Sequence, residues 1–71
     1  MQTLDVKGLS CPLPVIKTKK VLDSGVNELE VQGSGNTAKQ NVSRFARTRG
    51  FKVELVSESG GEWTMLLTKA K

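Results

Sequence analysis

Gly8-Leu9-Ser10-Cys11-Pro12-Leu13-Pro14-Val15 holds the only cysteine and both prolines of the 71-residue chain. It also marks a change of period. Upstream, Thr3 to Val6 reads as a short strand with Leu4 and Val6 on one face. Downstream, Leu13 to Ser24 reads as a helix. Proline is tolerated in the first turn of a helix, where N–H groups have no intrahelical partner. The two prolines therefore put Cys11 at a helix N-terminus. With Cys11 as N-cap, Pro12 is the first helical residue, and the Leu13 amide is the free donor nearest the sulfur. With Ser10 as N-cap, Cys11 stands in the first turn. In both registers the positive end of the helix dipole favours a sulfur anion over a free thiol of pKa ~8.5. Gly8 supplies the turn that presents this start.

Working outward, Val15, Thr18 and Leu22, with Val21 beside them, give the helix one apolar stripe, flanked by Ile16. Asp23-Ser24-Gly25 is a stop signal. Leu29 and Val31 alternate with Glu28, Glu30 and Gln32, the pattern of a half-buried strand. Gly33 to Thr37 reads as a loop, with Asn36 or Ser34 as helix cap. Gly33-Ser34-Gly35 could form a small anion nest, although turning the chain is the simpler role. A second helix follows, with Ala38, Val42, Phe45 and Ala46 on its apolar face and Arg49 on the same stripe. Phe51, Val53 and Leu55 alternate as a third strand. Glu58 to Glu62 is a hairpin turn, and Trp63, Met65 and Leu67 form the core set of a fourth strand. Thr68 to Lys71 reads as a fraying end.

The order is β-α-β-α-β-β. A strand–helix–strand unit gives a parallel pair with a right-handed crossover, and the final hairpin is antiparallel. The expected fold is an α/β (α+β) two-layer sandwich: a mixed four-stranded sheet with both helices on one face. Residues 1–71 are expected to form one domain.

Composition narrows the chemistry. The chain has no histidine, no tyrosine and one cysteine. No Cys–His pair, internal disulfide, Cys-x-x-Cys centre or thiolate metal site can form within it, so neither cofactor nor metal is expected. Asp5, Asp23, Glu28, Glu30, Glu54, Glu58 and Glu62 are scattered and show no paired acid–base spacing. A self-sufficient enzyme is hard to build from this inventory. No apolar run reaches the length of a membrane span and the N-terminus lacks a signal-peptide pattern, so a cytoplasmic protein is expected; a monomer is the expected state.

The net charge is +4. Lys17, Lys19 and Lys20 fall in the first helix, and Lys39, Arg44, Arg47 and Arg49 in the second. These read first as solvated faces, and second as a surface for acidic partners or RNA. No aromatic residue is interleaved with them for base stacking, so direct nucleic-acid binding is not expected. Lys7 could add positive charge near Cys11, though a solvated turn lysine is the simpler role. A lone cysteine is most often a small buried apolar side chain. The loop-to-helix position and the flanking prolines argue instead for a presented, reactive sulfur.

Asp5-Val6-Lys7-Gly8-Leu9-Ser10-Cys11-Pro12-Leu13-Pro14-Val15-Ile16 resembles the signature of the TusA/SirA-like family of sulfur carriers, a Cys-Pro-x-Pro after a Gly-Leu-x stretch. Length and element order fit that family over essentially the whole chain. The resemblance implies a persulfide carrier, with Cys11 at the sulfur-bearing position and Gly8, Pro12, Leu13 and Pro14 supporting it. It implies protein partners: a desulfurase or rhodanese-like donor, and an acceptor in tRNA thiolation, cofactor assembly or selenium and sulfur metabolism. The loop before the second helix lacks the acids of the TusA branch. Asn41-Val42-Ser43-Arg44-Phe45-Ala46 is closer to the YedF-like branch, linked to selenium metabolism and often longer, so the chain is either free-standing or a fragment. The competing reading is a small basic nucleic-acid-binding or regulatory module whose cysteine is structural.

Overall fold

A computed structural model describes residues 2–9 and 13–69. The elements are β1 (Gln2–Asp5), α1 (Leu13–Asp23), β2 (Glu28–Ser34), α2 (Asn36–Thr48), β3 (Phe51–Ser59) and β4 (Glu62–Lys69). They form one four-stranded sheet in the order β1-β2-β4-β3. β1 and β2 are parallel; β2–β4 and β3–β4 are antiparallel. The expected mixed sheet and element order hold.

Period two decides which side of the sheet is covered. Leu29, Val31 and Gly33 of β2 and Trp63, Met65 and Leu67 of β4 are buried, and the residues between them are half-buried or exposed. Against that face lie Thr18 and Leu22 of α1 and Val42 and Ala46 of α2, also buried. The core is thus a single layer between sheet and helices, as the alternation of Leu29–Val31 and Trp63–Met65–Leu67 requires. Gly60 and Gly61 close the β3–β4 hairpin with φ of 60° and 83°. Two consecutive positive φ values are what a two-residue turn of the right twist demands, and glycine adopts them without a Cβ clash.

Several details depart from the sequence reading. β1 is one residue earlier than Thr3 to Val6, yet Val6 still donates its N–H to the Gln32 carbonyl at 2.7 Å and is buried. β2 runs on through Gly33 and Ser34, where a loop was expected, because Gly33 pairs with Trp63 and Ser34 with Glu62. The stripe of α1 is Pro14, Thr18 and Leu22, with Val15 only half-buried. Pro14 has no N–H to satisfy, so it can enter the core at the helix start. The buried Thr18 hydroxyl donates to the Pro14 carbonyl at 2.8 Å, a back-bond that leaves it satisfied. Thr68 and Lys69 do not fray. Thr68 pairs on both sides, with Glu28 and with Lys52, and the Lys69 N–H donates to the Asn27 carbonyl at 2.8 Å. The rest of that expected end, Ala70 and Lys71, lies outside the described residues.

The two helices pack side by side and are tied at their C-terminal ends. Asp23, the last residue of α1, accepts from Lys19 at 2.9 Å and from the Arg49 guanidinium just beyond α2. The Lys19 hydrogen bond, then that from Arg49, holds the Asp23 carboxyl below its usual range. The Arg49 guanidinium also lies 5.7 Å from the Phe45 ring centroid. Because the C-terminal ends meet, α1 and α2 run in the same direction and both N-termini lie at the opposite end.

Candidate functional site: the shared N-terminal end of the helices

At that opposite end the chain leaves β1, passes Lys7, Gly8 and Leu9, and enters α1 at Leu13. Ser10, Cys11 and Pro12 lie outside the described residues, and so do the readings that Cys11 or Ser10 caps the helix. The frame on both sides of them is described. The Lys7 N–H donates to Asp5 Oδ1 at 2.9 Å, a short aspartate turn that reverses the chain after β1. Gly8, at φ 77°, donates its N–H to Ser34 Oγ at 3.1 Å. The Leu9 N–H reaches the Val6 carbonyl at 3.4 Å. The loop leading to Cys11 is therefore fixed to the C-terminal end of β2 through the Ser34 hydroxyl.

On the far side, Pro14 is fully buried and anchors the first turn of α1, while Leu13 is 44% exposed. Of the site residues expected from the sequence, Gly8, Leu13 and Pro14 thus border the segment that holds Cys11. Lys7 does not stand as an unpaired cation. Its Nζ lies 3.6 Å from Asp5 Oδ2 and 3.5 Å from Gln32 Oε1, so part of its charge is already met.

The second helix start lies beside this loop. Neither Asn36 nor Ser34 caps α2: Gly35 is the N-cap and no side chain bonds there. Ser34 is instead engaged by Gly8. The Gly33-Ser34-Gly35 stretch is not the anion nest considered above, since Gly33 is a buried strand residue under the Trp63 ring. Gly35 is held by three bonds. Its N–H donates to the Gly61 carbonyl at 2.9 Å, and its carbonyl accepts from Trp63 Nε1 at 2.9 Å and from the Lys39 N–H at 3.1 Å. No acidic residue stands in the first turn of either helix. Neither helix therefore carries a carboxylate in its own first turn to offset its N-terminal half-charge, and Asp5, in the turn nearby, is engaged by the Lys7 N–H and Nζ. An anion gains there, and a cation does not. Sequence reasoning missed Ser34 as the tie; a lone hydroxyl between two glycines was its only signal.

The pattern of the family described as Sulfurtransferase TusA matches residues 2–69. A candidate sulfur carrier protein of Methanocaldococcus jannaschii is 41% identical, over 97% of this chain and 95% of that protein. The sulfur carrier protein TusA of Allochromatium vinosum is 32% identical, over 97% of this chain and 93% of that one. The crystal structure of a SirA-like protein from Desulfitobacterium hafniense superposes with a TM-score of 0.84 at 27% identity, over 100% of both chains. With the family pattern matched over residues 2–69, relatives of 41% and 32% identity and a β-α-β-α-β-β order, the chain belongs to the TusA sulfurtransferase family.

Proposed function

We propose that the protein carries sulfane sulfur as a persulfide on Cys11, taking it from one protein and giving it to another. The observation that supports this best is the pair of acid-free helix starts at the end of the sheet where the Cys11 segment is anchored. In loading, the Cys11 thiolate attacks the outer sulfur of a donor persulfide, and the donor thiolate leaves. In unloading, an acceptor nucleophile attacks the outer sulfur of the Cys11 persulfide, and the Cys11 thiolate leaves. Each step breaks one bond to sulfur and makes one, with no net oxidation. The persulfide is more acidic than its parent thiol and is an anion at neutral pH, the species that helix N-termini favour.

A carrier of this kind needs a desulfurase or rhodanese-like donor and a separate acceptor, and it works in the cytoplasm without a bound cofactor. The Asn41–Ala46 stretch and the acid-free approach to α2 support a place nearer the YedF-like branch, and tRNA thiolation, cofactor assembly and selenium or sulfur metabolism are the pathways such a carrier would serve. The test is intact mass after incubation with a cysteine desulfurase, cysteine and pyridoxal phosphate. A gain of one sulfur atom that reductant removes supports the carrier. An unchanged mass with several unrelated donors, while a small thiol reagent still labels Cys11, overturns it.

The docking face for such partners follows from α1. Leu13, Ile16, Lys17 and Lys20 are all exposed and fall at i, i+3, i+4 and i+7, one stripe that begins beside the Cys11 segment. Neither Lys17 nor Lys20 pairs with a carboxylate among the described residues; Lys19 is the one held by Asp23. Lys17→Glu/Lys20→Glu is expected to slow loading from the desulfurase about tenfold at low salt, because steered association scales with surface charge. Loading from inorganic polysulfide, a small donor, is expected to stay within twofold. Equal slowing with both donors would locate the effect at Cys11 rather than at docking.

A further inference from the structure

The other exposed apolar surface lies away from the Cys11 segment. Leu55 and Val56 on β3 are 46% and 54% exposed. Leu55 belongs to the core set by alternation, and its register partner Met65 is buried. α2 reaches over Met65 but does not close over Leu55. A groove of about 220 Å³ remains between α2 and β3, floored by Val53, Leu55 and Met65 and walled by Lys39, Gln40 and Arg47. It shares Gln40 and Arg47 with a second depression of about 450 Å³ that extends along α2 to Arg44 and Thr48.

Three properties of this groove point to one kind of occupant. First, among the described residues β3 pairs only with β4, so along Phe51–Leu55 its other edge offers free main-chain groups. The register shift between Leu55 and Ser57 ends that regular stretch. Second, the floor is apolar and sits on the inner side of the sheet, where alternate side chains of an added strand would point. Third, no acid lines either depression, and Arg44 and Arg47 form no ion pair among the described residues. Lys39 is already neutralised by Glu58 at 2.7 Å.

We infer that the α2–β3 groove receives an extended segment of a partner protein whose inward-facing side chains, at every second residue, are apolar over the floor and acidic toward the rim. The segment adds to the free edge of β3 over Phe51–Leu55. Its apolar side chains cover Leu55, and its carboxylates meet Arg44 and Arg47. Since this groove lies on the β3 side of α2 and the Cys11 segment leads into α1, a partner can stay tethered while the sulfur end is engaged. The charge of the rim sets the preference for an acidic strand; the outward-facing Lys52 and Glu54 guard the edge against unselective pairing.

The test is an amide chemical-shift titration of isotopically labelled protein with a blocked heptapeptide, Thr-Val-Thr-Glu-Thr-Glu-Thr, whose valine and glutamates share one face of an extended strand. A matched peptide with lysine for glutamate is the control. The expected result is shifts at Phe51–Leu55 and along Gln40–Thr48, at least fivefold weaker with the lysine peptide. Arg44→Glu/Arg47→Glu, which changes only exposed side chains, is expected to reverse that preference, and Leu55→Lys to abolish the shifts. Equal shifts with both peptides, shifts confined to α1, or none at millimolar peptide would overturn the inference. So would edge-strand shifts that follow protein concentration alone, which would assign the groove to a second copy of the chain.

Discussion

Gly33→Ala is expected to lower the melting temperature by about 10–20 °C, a loss of roughly 2–3 kcal/mol in a domain this size. A Cβ at Gly33 would stand 2.9 Å from Cε2 of Trp63 and closer still to Cζ2 and Cη2. The obstacle is a buried ring that cannot swing aside freely, since its Nε1–H is bonded to the Gly35 carbonyl. Displacing the ring would also leave the indole N–H unpaired in a part-buried position, while the Gly35 carbonyl keeps the Lys39 N–H. At about 0.1 kcal/mol per residue the whole fold has some 7 kcal/mol to lose, so one methyl group removes a large share. Thermal and urea melts check this. Trp63→Phe in the same chain is expected to recover part of the loss, because the smaller ring makes room, and the two changes will not add. A Gly33→Ala melt within 3 °C of the parent would show that the ring is free to move.

Cys11→Ser is expected to abolish sulfur loading completely. A serine hydroxyl is neither an anion at neutral pH nor a nucleophile toward a persulfide sulfur. The chain has no second cysteine and no histidine to take over the step. After the desulfurase incubation the variant should keep its mass to within the measurement, with its thermal melt recorded beside the parent as the check on folding. Sulfur retained by the serine variant would place the carrier function on another group. In the parent chain, alkylation of Cys11 against pH is expected to have its midpoint below the ~8.5 of a free thiol. A midpoint above that value would mean that the two helix starts do not act on the sulfur.

The local periods were legible. Leu29–Val31, Trp63–Met65–Leu67 and Val42–Ala46 each name their own buried face, and the order of elements followed from them. What the sequence concealed depends on contacts far apart in the chain. Gly33 carries the same signal for a turn as for a close approach, and only its pairing with Trp63 decides between them. Pro14 read as a residue tolerated at a helix start, but it is also buried there. Leu55 read as core because alternation shows which face a residue takes, not how far a helix on the other layer extends over it. At the site, composition alone singled out Cys11, since no other residue offers a nucleophilic sulfur. Its surroundings were not legible, because Ser34 meets Gly8 across 26 residues. The free start of α2 was masked by Asn36, a good cap that the chain does not use.

The indole that occupies the space above Gly33 has one more consequence. It is the only tryptophan, and the chain has no tyrosine, so ultraviolet emission comes from one place. That place is the end of the sheet where β2 passes into α2, one residue from the Ser34 hydroxyl that holds the Gly8 loop. The protein therefore contains its own optical probe. The wavelength and yield of that emission register how tightly the Gly8 loop and the start of α2 are packed, with no label attached and no cysteine consumed in attaching one.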